Sequence, residues 1–276
     1  PAHDPSLLEE STVKLAVQVN GKMRGTVEVE AGASEEAAAA AARGVAAVDA
    51  GNFPFVFGAV TVLTAGSALA FARLAREKGQ WTAFAATAAE TAEMFVPQRA
   101  AAKGWLKGRA NPPSPVQWQP SAVWISCDGS AGVTFGAYQD GAANGWFSTV
   151  WQRQKKGDYK WVLDQGGNLT APLKDSDFIT GKVADCPTRP HRDPTADAPP
   201  PPPREAPIAP RPLAGPIPPL AVAAGADSKD GRSDDGSLVW RSTVLPGGTR
   251  QWTVWMWQDG KMAEVLNRTE IAKNEG

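Results

Sequence analysis

Apolar and polar residues alternate along the middle of the chain, between positions 116 and 165. A period of two is typical of β-strands that bury one face. Turn dipeptides such as Asp128-Gly129 and Asp140-Gly141 separate the alternating stretches and favour tight chain reversals. The pattern therefore predicts an antiparallel meander of four strands, at residues 116–126, 131–139, 144–154 and 158–165.

The stretch before this meander has a helical period. Between Phe71 and Trp81 apolar residues recur three or four positions apart, which predicts an amphipathic helix. The period continues to Val96, where Pro97 ends it, and a short helix follows at 103–109. Helices collected at one end of a curved antiparallel sheet give an α+β cone. Such a cone often encloses a pocket between sheet and helices.

The first residues predict a separate small unit. Residues 12–30 form two alternating stretches joined at Asn20-Gly21, where both positions tolerate the positive φ of a hairpin turn. An alanine-rich helix should follow, capped by Ser34 and closed by Gly44. The sequence VQVNGKMRG followed by ASEEAAAAAA closely resembles the C-terminal appendage of bacterial leucyl-tRNA synthetases.

In that family the appendage helps to hold the tRNA. The resemblance therefore implies Lys22 and Arg24 as phosphate contacts, and a nucleic-acid partner, if the unit over residues 1–50 is functional. The chain would then be a leucine–tRNA ligase C-terminal fragment with an accessory role in tRNA binding. It has neither a HIGH nor a KMSK motif, so it cannot carry aminoacylation. The alternative is a hairpin and helix without surviving function, because so few residues rarely fold or bind alone.

An uncharged apolar segment at residues 51–72 comes next. Its length and its small-residue end suit the h-region and cleavage site of a secretory signal, and it is short for a membrane span. A signal here predicts a periplasmic or exported protein that begins near Phe71 to Arg73. The synthetase-like piece before it would then reflect a fusion, a read-through or a misjoined reading frame. The alternative is a cytoplasmic protein in which the segment is a buried strand and helix of one continuous domain.

The last third of the chain divides into a linker and a tail. Residues 187–222 are rich in proline and predict an extended linker. Residues 236–268 predict a β-hairpin extended to a meander of three short strands, with turns at 246–248 and at Asp259-Gly260. This small sheet has tryptophan on both faces, so we expect it to dock on the cone, either extending its sheet or covering the pocket.

The words GQWTAF, MFVPQ, WLKGRA, VQWQP and VWQRQKKGDYKWVLDQG resemble exported proteobacterial proteins of the SnoaL-like or ketosteroid-isomerase-like superfamily, over residues 67–168. The resemblance implies a cone-shaped α+β barrel, a homodimer through the sheet, and roles from isomerase and cyclase to plain binding module. Catalysts of this superfamily place an Asp or a His inside the cone. His3 and His191 both lie outside the cone region, so acid–base chemistry would rest on a carboxylate.

The net charge and the two cysteines limit the partners and metal sites that can be expected. The 276 residues have a net charge of −1, which gives no reason to expect a nucleic-acid or membrane partner for the chain as a whole. Cys127 and Cys186 lack the spacing of a zinc site, and no metal or cofactor is expected. They form one disulfide if the protein is exported, and stay unpaired thiols if it is cytosolic.

Two groups of residues are candidates for a site. The first could line an aromatic pocket for a flat apolar ligand, although such residues are more often core; it comprises Trp81, Phe84, Trp118, Trp124, Tyr138, Trp151 and Trp161. On simple alternation, Trp161 shares a face with Tyr159 and Leu163. The second group holds the carboxylates nearest to apolar surroundings, for each of which a structural role competes with an acid–base role: Glu93, Asp128 and Asp164.

The leading hypothesis is that the cone binds a small hydrophobic molecule without a recognisable catalytic set. An isomerase, cyclase or dehydratase that uses a cone carboxylate is the first alternative. The tRNA-binding accessory role is the second.

Overall fold

The computed structural model describes residues 12–19, 22–30, 56–173, 179–186 and 222–271. The predicted Asn20-Gly21 turn, the predicted helix between Ser34 and Gly44, and nearly all of the proline-rich linker lie outside the described residues.

The described residues form three helices and thirteen strands. The helices are α1 (Val56–Lys78), α2 (Gln80–Thr87) and α3 (Ala102–Leu106). The strands are β1 (Thr12–Val19), β2 (Lys22–Glu30), β3 (Ala88–Phe95), β4 (Arg99–Ala101), β5 (Gln117–Ile125), β6 (Ala131–Asp140), β7 (Ala143–Arg153), β8 (Tyr159–Leu169), β9 (Ile179–Val183), β10 (Asp227–Arg232), β11 (Leu238–Val244), β12 (Arg250–Gln258) and β13 (Lys261–Glu270).

Nine of these strands make one sheet, in the order β2-β1-β9-β5-β6-β7-β8-β3-β4. Its centre is the antiparallel meander β5–β8, as the alternation predicted. Parallel pairs flank it, because β3 joins β8, β9 joins β5, and β1 joins β9. The α+β fold class is confirmed.

The molecule has three layers, with helices on one side of the nine-stranded sheet and a second sheet on the other. We call the side under α1 and α2 the helix face and the opposite side the outer face. Successive side chains of β5 alternate between the two faces. Val123 and Ile125 pack on the helix face, and Trp124 packs on the outer face. The helix-face core includes Phe71, Phe84, Met94, Trp151, Tyr159 and Trp161.

The predicted helical stretch is confirmed as far as Thr87 and is wrong from Ala88 to Val96. Helix α2 ends at Thr87, Ala88 takes extended φ and ψ angles, and residues 88–95 form β3 instead. Strand β3 buries Ala92 and Met94 and pairs with β8. Pairing with a buried neighbour thus overrides the helix propensity of an alanine-rich stretch.

The apolar segment and the amphipathic helix are one element. Residues 56–72 form the first part of α1, and Ala68, Phe71 and Ala75 pack into the helix-face core. No helix among the described residues is long and apolar enough to cross a bilayer. Export stays a prediction.

The C-terminal sheet differs from its prediction in strand number and in place. It has four strands, β10-β11-β12-β13, because the polar strand β10 at Asp227–Arg232 pairs with β11. It docks on the cone, as predicted, but it does so on the outer face, so the expectation that it extends the cone sheet or covers the pocket is wrong. It also covers the face through which a homodimer was predicted.

Candidate functional site

A pocket of about 260 Å³ lies between the helices and the helix face. Six of its thirteen lining residues are aromatic and five others are polar, so the wall combines apolar surface with groups that can orient a ligand. The lining residues are Phe71, Gln80, Phe84, Phe95, Val116, Trp118, Tyr138, Asp140, Phe147, Thr149, Asp164, Gln165 and Gly166.

A β-bulge directs Asp164 into this pocket. In the β7–β8 pairing, Trp151 faces Trp161 but Val150 faces Leu163, so Val162 is an extra residue in β8. Trp161 therefore packs on the helix face while Leu163 packs on the outer face, and their predicted common face is wrong. Without the bulge, Asp164 would point to the outer face.

The carboxyl of Asp164 has one hydrogen-bond donor in the described structure. Thr149, its partner across the β7–β8 pair, donates from Oγ1 to Oδ2 at 2.7 Å. No Lys, Arg or His among the described residues forms an ion pair with it. Burial raises the pKa of Asp164 to about 7, and the Thr149 hydrogen bond lowers it by less. Asp164 therefore changes its charge near neutral pH.

Gln80 supplies a second polar group to the pocket wall. It is buried at the start of α2, and its Oε1 accepts a hydrogen bond from the Val116 backbone N–H at 2.9 Å. Its Nε2 group has no hydrogen-bond partner among the residues that the structure describes. The amide is thus held by one end, and the donor end is free to meet a ligand.

Tyr138 is the third polar group of the wall. Its hydroxyl donates to Asn168 Oδ1 at 3.1 Å. Burial raises the pKa of Tyr138, the charges of Glu270 and Asp140 raise it further, and Arg250 opposes them. Tyr138 consequently stays neutral over the range in which Asp164 titrates.

Four of the seven predicted aromatic residues line one of two pockets on the helix face. Phe84, Trp118 and Tyr138 line the pocket with Asp164. Trp151 lines a second space of about 340 Å³ beneath α1, next to Tyr159.

Three of the predicted pocket residues line neither space. Trp161 is fully buried in the helix-face core and donates its Nε1–H toward Phe84 O and Thr87 Oγ1. Trp81 packs edge-on against Phe84 and against Trp105. Trp124 faces the C-terminal sheet, because alternation along β5 turns it away from the helices.

The other two candidate carboxylates have structural partners. Glu93 forms ion pairs with Arg99, at 3.3 Å, and with Lys229 of β10. Asp128 accepts hydrogen bonds from the side chains of Ser126 and Ser130 in its own turn, at 2.7 and 2.8 Å. Neither lines the Asp164 pocket.

Sequence reasoning missed Gln80, Phe147 and Thr149. Phe147 and Thr149 precede Trp151 by four and two residues on the same strand, so period two alone places all three on one face. Gln80 gave no such signal, because a glutamine beside a tryptophan at a helix start is usually solvated.

The two cysteines are joined in the structure, with Cys127 bonded to Cys186. The link fastens the residues after β9 to the turn between β5 and β6. Among the described residues, no group of three or more His, Cys, Asp and Glu side chains is arranged to hold a metal ion.

No protein-family model matches the chain. Over 45 residues it is 53% identical to a leucine–tRNA ligase of Bdellovibrio bacteriovorus, a segment that is 16% of this chain and 6% of that enzyme. A leucine–tRNA ligase of Prosthecochloris aestuarii is 50% identical over 48 residues, which are 17% of this chain and 6% of the enzyme. The chain therefore spans a small fraction of these relatives. The tRNA contacts of Lys22 and Arg24, on β2, stay a prediction.

Solved structures resemble the cone. A putative ketosteroid isomerase from Parabacteroides distasonis has a TM-score of 0.32 and 11% identity, covering 37% of this chain and 86% of its own. An NTF-2 like protein of unknown function from Silicibacter pomeroyi has a TM-score of 0.29 and 14% identity, covering 38% and 94%. ActVI-ORFA from Streptomyces coelicolor has a TM-score of 0.27 and 14% identity, covering 38% and 96%. The first two neighbours are described as a putative ketosteroid isomerase and an NTF-2 like protein, which are the kinds of protein that the sequence resemblance named.

Proposed function

We propose that the cone binds a small molecule with an apolar body and one polar group that faces Asp164. The observation that carries this proposal is the half-buried Asp164 carboxyl, with its raised pKa, in a pocket to whose wall six aromatic side chains contribute. Aromatic walls favour flat apolar groups, and a few polar atoms fix the orientation of a ligand.

The size of the pocket limits the ligand. Its volume of about 260 Å³ is below the range of roughly 300–1,000 Å³ that is usual for drug-sized ligands. The ligand is therefore small, on the scale of one or two fused rings. The polar residues on its wall are Asp164, Gln80, Tyr138, Asp140, Thr149 and Gln165.

Binding is tested with 2-naphthol, a flat probe with one hydroxyl group, by quenching of tryptophan fluorescence at pH 6. We expect saturable binding that Trp118→Ala weakens at least tenfold, because Trp118 lines the pocket. Trp81→Ala is the matched control, since Trp81 contacts Phe84 but lines neither pocket. Equal affinity in both variants would contradict the proposal.

A second candidate function is proton transfer by Asp164. A carboxyl with a pKa of about 7 is populated in both protonation states near neutral pH, which suits a general acid or base. The reaction class would be removal of a proton next to a carbonyl group, as in an isomerase, cyclase or dehydratase. The Gln80 amide is a candidate donor to the oxygen on which negative charge develops.

Hydrogen–deuterium exchange at the α-carbon of 2-tetralone, followed by NMR in deuterated buffer, tests this second candidate. We expect Asp164→Asn to lower the protein-catalysed exchange rate by about 10²–10⁴-fold. Thr149→Val removes the hydrogen bond that lowers the Asp164 pKa, so it should move the pH midpoint of the rate upward. An unchanged rate in Asp164→Asn would exclude catalysis by this carboxyl and leave binding as the function.

An oxidising compartment, periplasmic or extracellular, forms part of the proposal. A Cys127–Cys186 disulfide is typical of exported proteins and rare in a reducing cytosol. Intact mass and N-terminal sequencing of the protein from separated cell fractions give the test. A cytosolic protein with two free thiols would contradict export.

A further inference from the structure

The chain contains an internal repeat that spans both sheets. The turn Ser126–Ser130 reads SCDGS and the turn Ser233–Ser237 reads SDDGS. Each turn joins the first two strands of a four-stranded antiparallel meander, β5–β8 in the cone and β10–β13 in the C-terminal sheet.

The two turns have the same internal hydrogen bonds. In the first, Asp128 Oδ1 accepts from Ser126 Oγ, at 2.7 Å, and from the backbone N–H and hydroxyl of Ser130. In the second, Asp235 Oδ1 accepts from Ser233 Oγ, at 2.6 Å, and from the N–H and hydroxyl of Ser237. Equivalent residues therefore have equivalent bonding roles.

The turns also bind each other reciprocally. The Asp128 N–H donates to Asp235 Oδ2 at 3.0 Å, and the Asp235 N–H donates to Asp128 Oδ2 at 3.1 Å. The Cys127 N–H donates to Ser237 Oγ, and the equivalent Asp234 N–H donates to Ser130 Oγ, each at 2.8 Å. Every bond from the first turn to the second has a counterpart in the opposite direction.

The strands that follow the two turns also have features in common. Ala131 and Leu238 directly follow the two turns, and both are completely buried between the sheets. The last strand of each meander carries one extra residue, Val162 in β8 and Val265 in β13. In the third strands, three alternate residues of each face the opposite sheet: Trp146, Ser148 and Val150 in β7, and Trp252, Val254 and Met256 in β12.

Reciprocal contacts between equivalent residues are the signature of a two-fold interface between identical chains. We propose that the outer face of the cone is a self-association surface, which β10–β13 occupies within the same chain in place of a second copy. The occupant that fits the uncovered face is another copy of this chain, because Asp128, Ser130 and Cys127 supply the same donors and acceptors as Asp235, Ser237 and Asp234.

The test releases the C-terminal sheet in the full-length chain and measures mass against concentration by sedimentation velocity. Leu238→Asp/Met256→Asp places charges on the C-terminal side only and leaves the outer face intact. The matched control, Ala131→Asp/Val150→Asp, places charges on the cone side of the same contact, at the equivalent of Leu238 and at a second buried position, so it releases the same sheet and disrupts the outer face. Hydrogen exchange over residues 227–270 confirms release in both.

We expect Leu238→Asp/Met256→Asp to associate at least tenfold more tightly than the wild-type chain, and the control to associate no more tightly than the wild type. Equal masses for the two released variants at every concentration would overturn the proposal.

A milder pair keeps the test decisive if the charged variants lose their fold. Asp235→Ala removes only the turn contacts from the C-terminal side, and Asp128→Ala removes them from the cone side. Association should rise with concentration in Asp235→Ala and not in Asp128→Ala, since a second copy would need Asp128. No rise in Asp235→Ala would overturn the proposal.

Discussion

The two faces of strands β5–β8 are both apolar, yet they are closed in different ways. On the helix face, α1 and α2 leave a pocket of about 260 Å³ in which Asp164 has one hydroxyl donor. On the outer face, a second sheet packs tryptophan between the layers, and Asp128 and Asp235 each accept from backbone and hydroxyl groups. Asp128 and Asp235 are thus held by several donors within the turns, whereas Asp164 has a single donor and burial raises its pKa to about 7.

The bulge residue Val162 in β8 decides which face of the sheet Asp164 points to. Val162 shifts the alternation of β8, so that Asp164 faces the pocket and Gln165 pairs with Ser148 of β7. The buried Gln165 Nε2 group has no hydrogen-bond partner in the described structure. The bulge therefore gives the pocket its carboxyl, next to a buried amide that is left unsatisfied.

The largest effect is expected on the outer face. Trp252→Ala removes a side chain that is 1% exposed and a bond from Nε1 to Ser148 Oγ at 3.1 Å. We expect the free energy of unfolding, measured in urea, to fall by about 3–5 kcal/mol. Gln251→Ala, at the exposed neighbouring position, should change it by less than about 0.5 kcal/mol. Similar losses in both variants would show that the sheets do not form a close-packed core.

Removal of the Cys127–Cys186 disulfide tests how much this bond stabilises the packing on the outer face. Cys127 packs against the outer-face core and is bonded to Cys186, 59 residues away. We expect Cys127→Ser/Cys186→Ser to lower the free energy of unfolding by about 2–4 kcal/mol, because the unfolded chain gains freedom. Wild-type protein in reductant should lose the same amount. Unchanged stability in both would mean that the bond does not form in solution.

The ionisation of Asp164 makes the stability of the folded chain depend on pH. An unfolded Asp ionises near pH 4, so between about pH 4 and pH 7 the folded chain holds a proton that the unfolded chain has released. Stability attributable to Asp164 therefore falls as pH rises through this window, and stays low above it.

Asp164→Asn removes that dependence, since an amide does not ionise. We expect the variant to match the wild type near pH 4 and to be more stable by about 1–3 kcal/mol at pH 8, in urea unfolding series at each pH. Thr149→Ser, which keeps a hydroxyl donor, should retain the wild-type pH profile. A constant difference across the pH range would contradict the assignment.

The smallest effect is expected at the exposed ion pair between Lys103 and Glu90. Both side chains are more than half exposed, so water screens their attraction. Lys103→Ala should change the free energy of unfolding by less than about 0.5 kcal/mol in the same urea assay. A loss above 1 kcal/mol would mean that the surface beside α3 carries stability that burial does not indicate.

Much of the sheet was predictable because its pattern is local. Period two and the Asp-Gly turns define β5–β8, and β11–β13 follow from the same signals. Strand β3 was not predictable, because an alanine-rich stretch becomes a strand only when β8 is there to pair with it. Strand β10 has the polar sequence DSKDGR, which carries no alternation.

Several residues of the site could be predicted from the sequence, but their arrangement around the pocket could not. Asp164 and three aromatic residues of its pocket were candidates, yet the direction of Asp164 depends on a bulge that period two cannot reveal. The five-residue turns SCDGS and SDDGS were visible in the sequence. Their mutual contact was not, because it depends on two sheets packing face to face.

The ionisation of Asp164 in the folded wild-type chain is the most direct test of the difference between the two faces. Its carboxyl carbon can be followed by ¹³C NMR from pH 3 to pH 9, with Asp164→Asn to assign the signal. We expect a midpoint of about 7, because burial in the pocket disfavours the charged carboxylate. A midpoint near 4 would contradict it, because the carboxyl would then be as well solvated as an exposed aspartate.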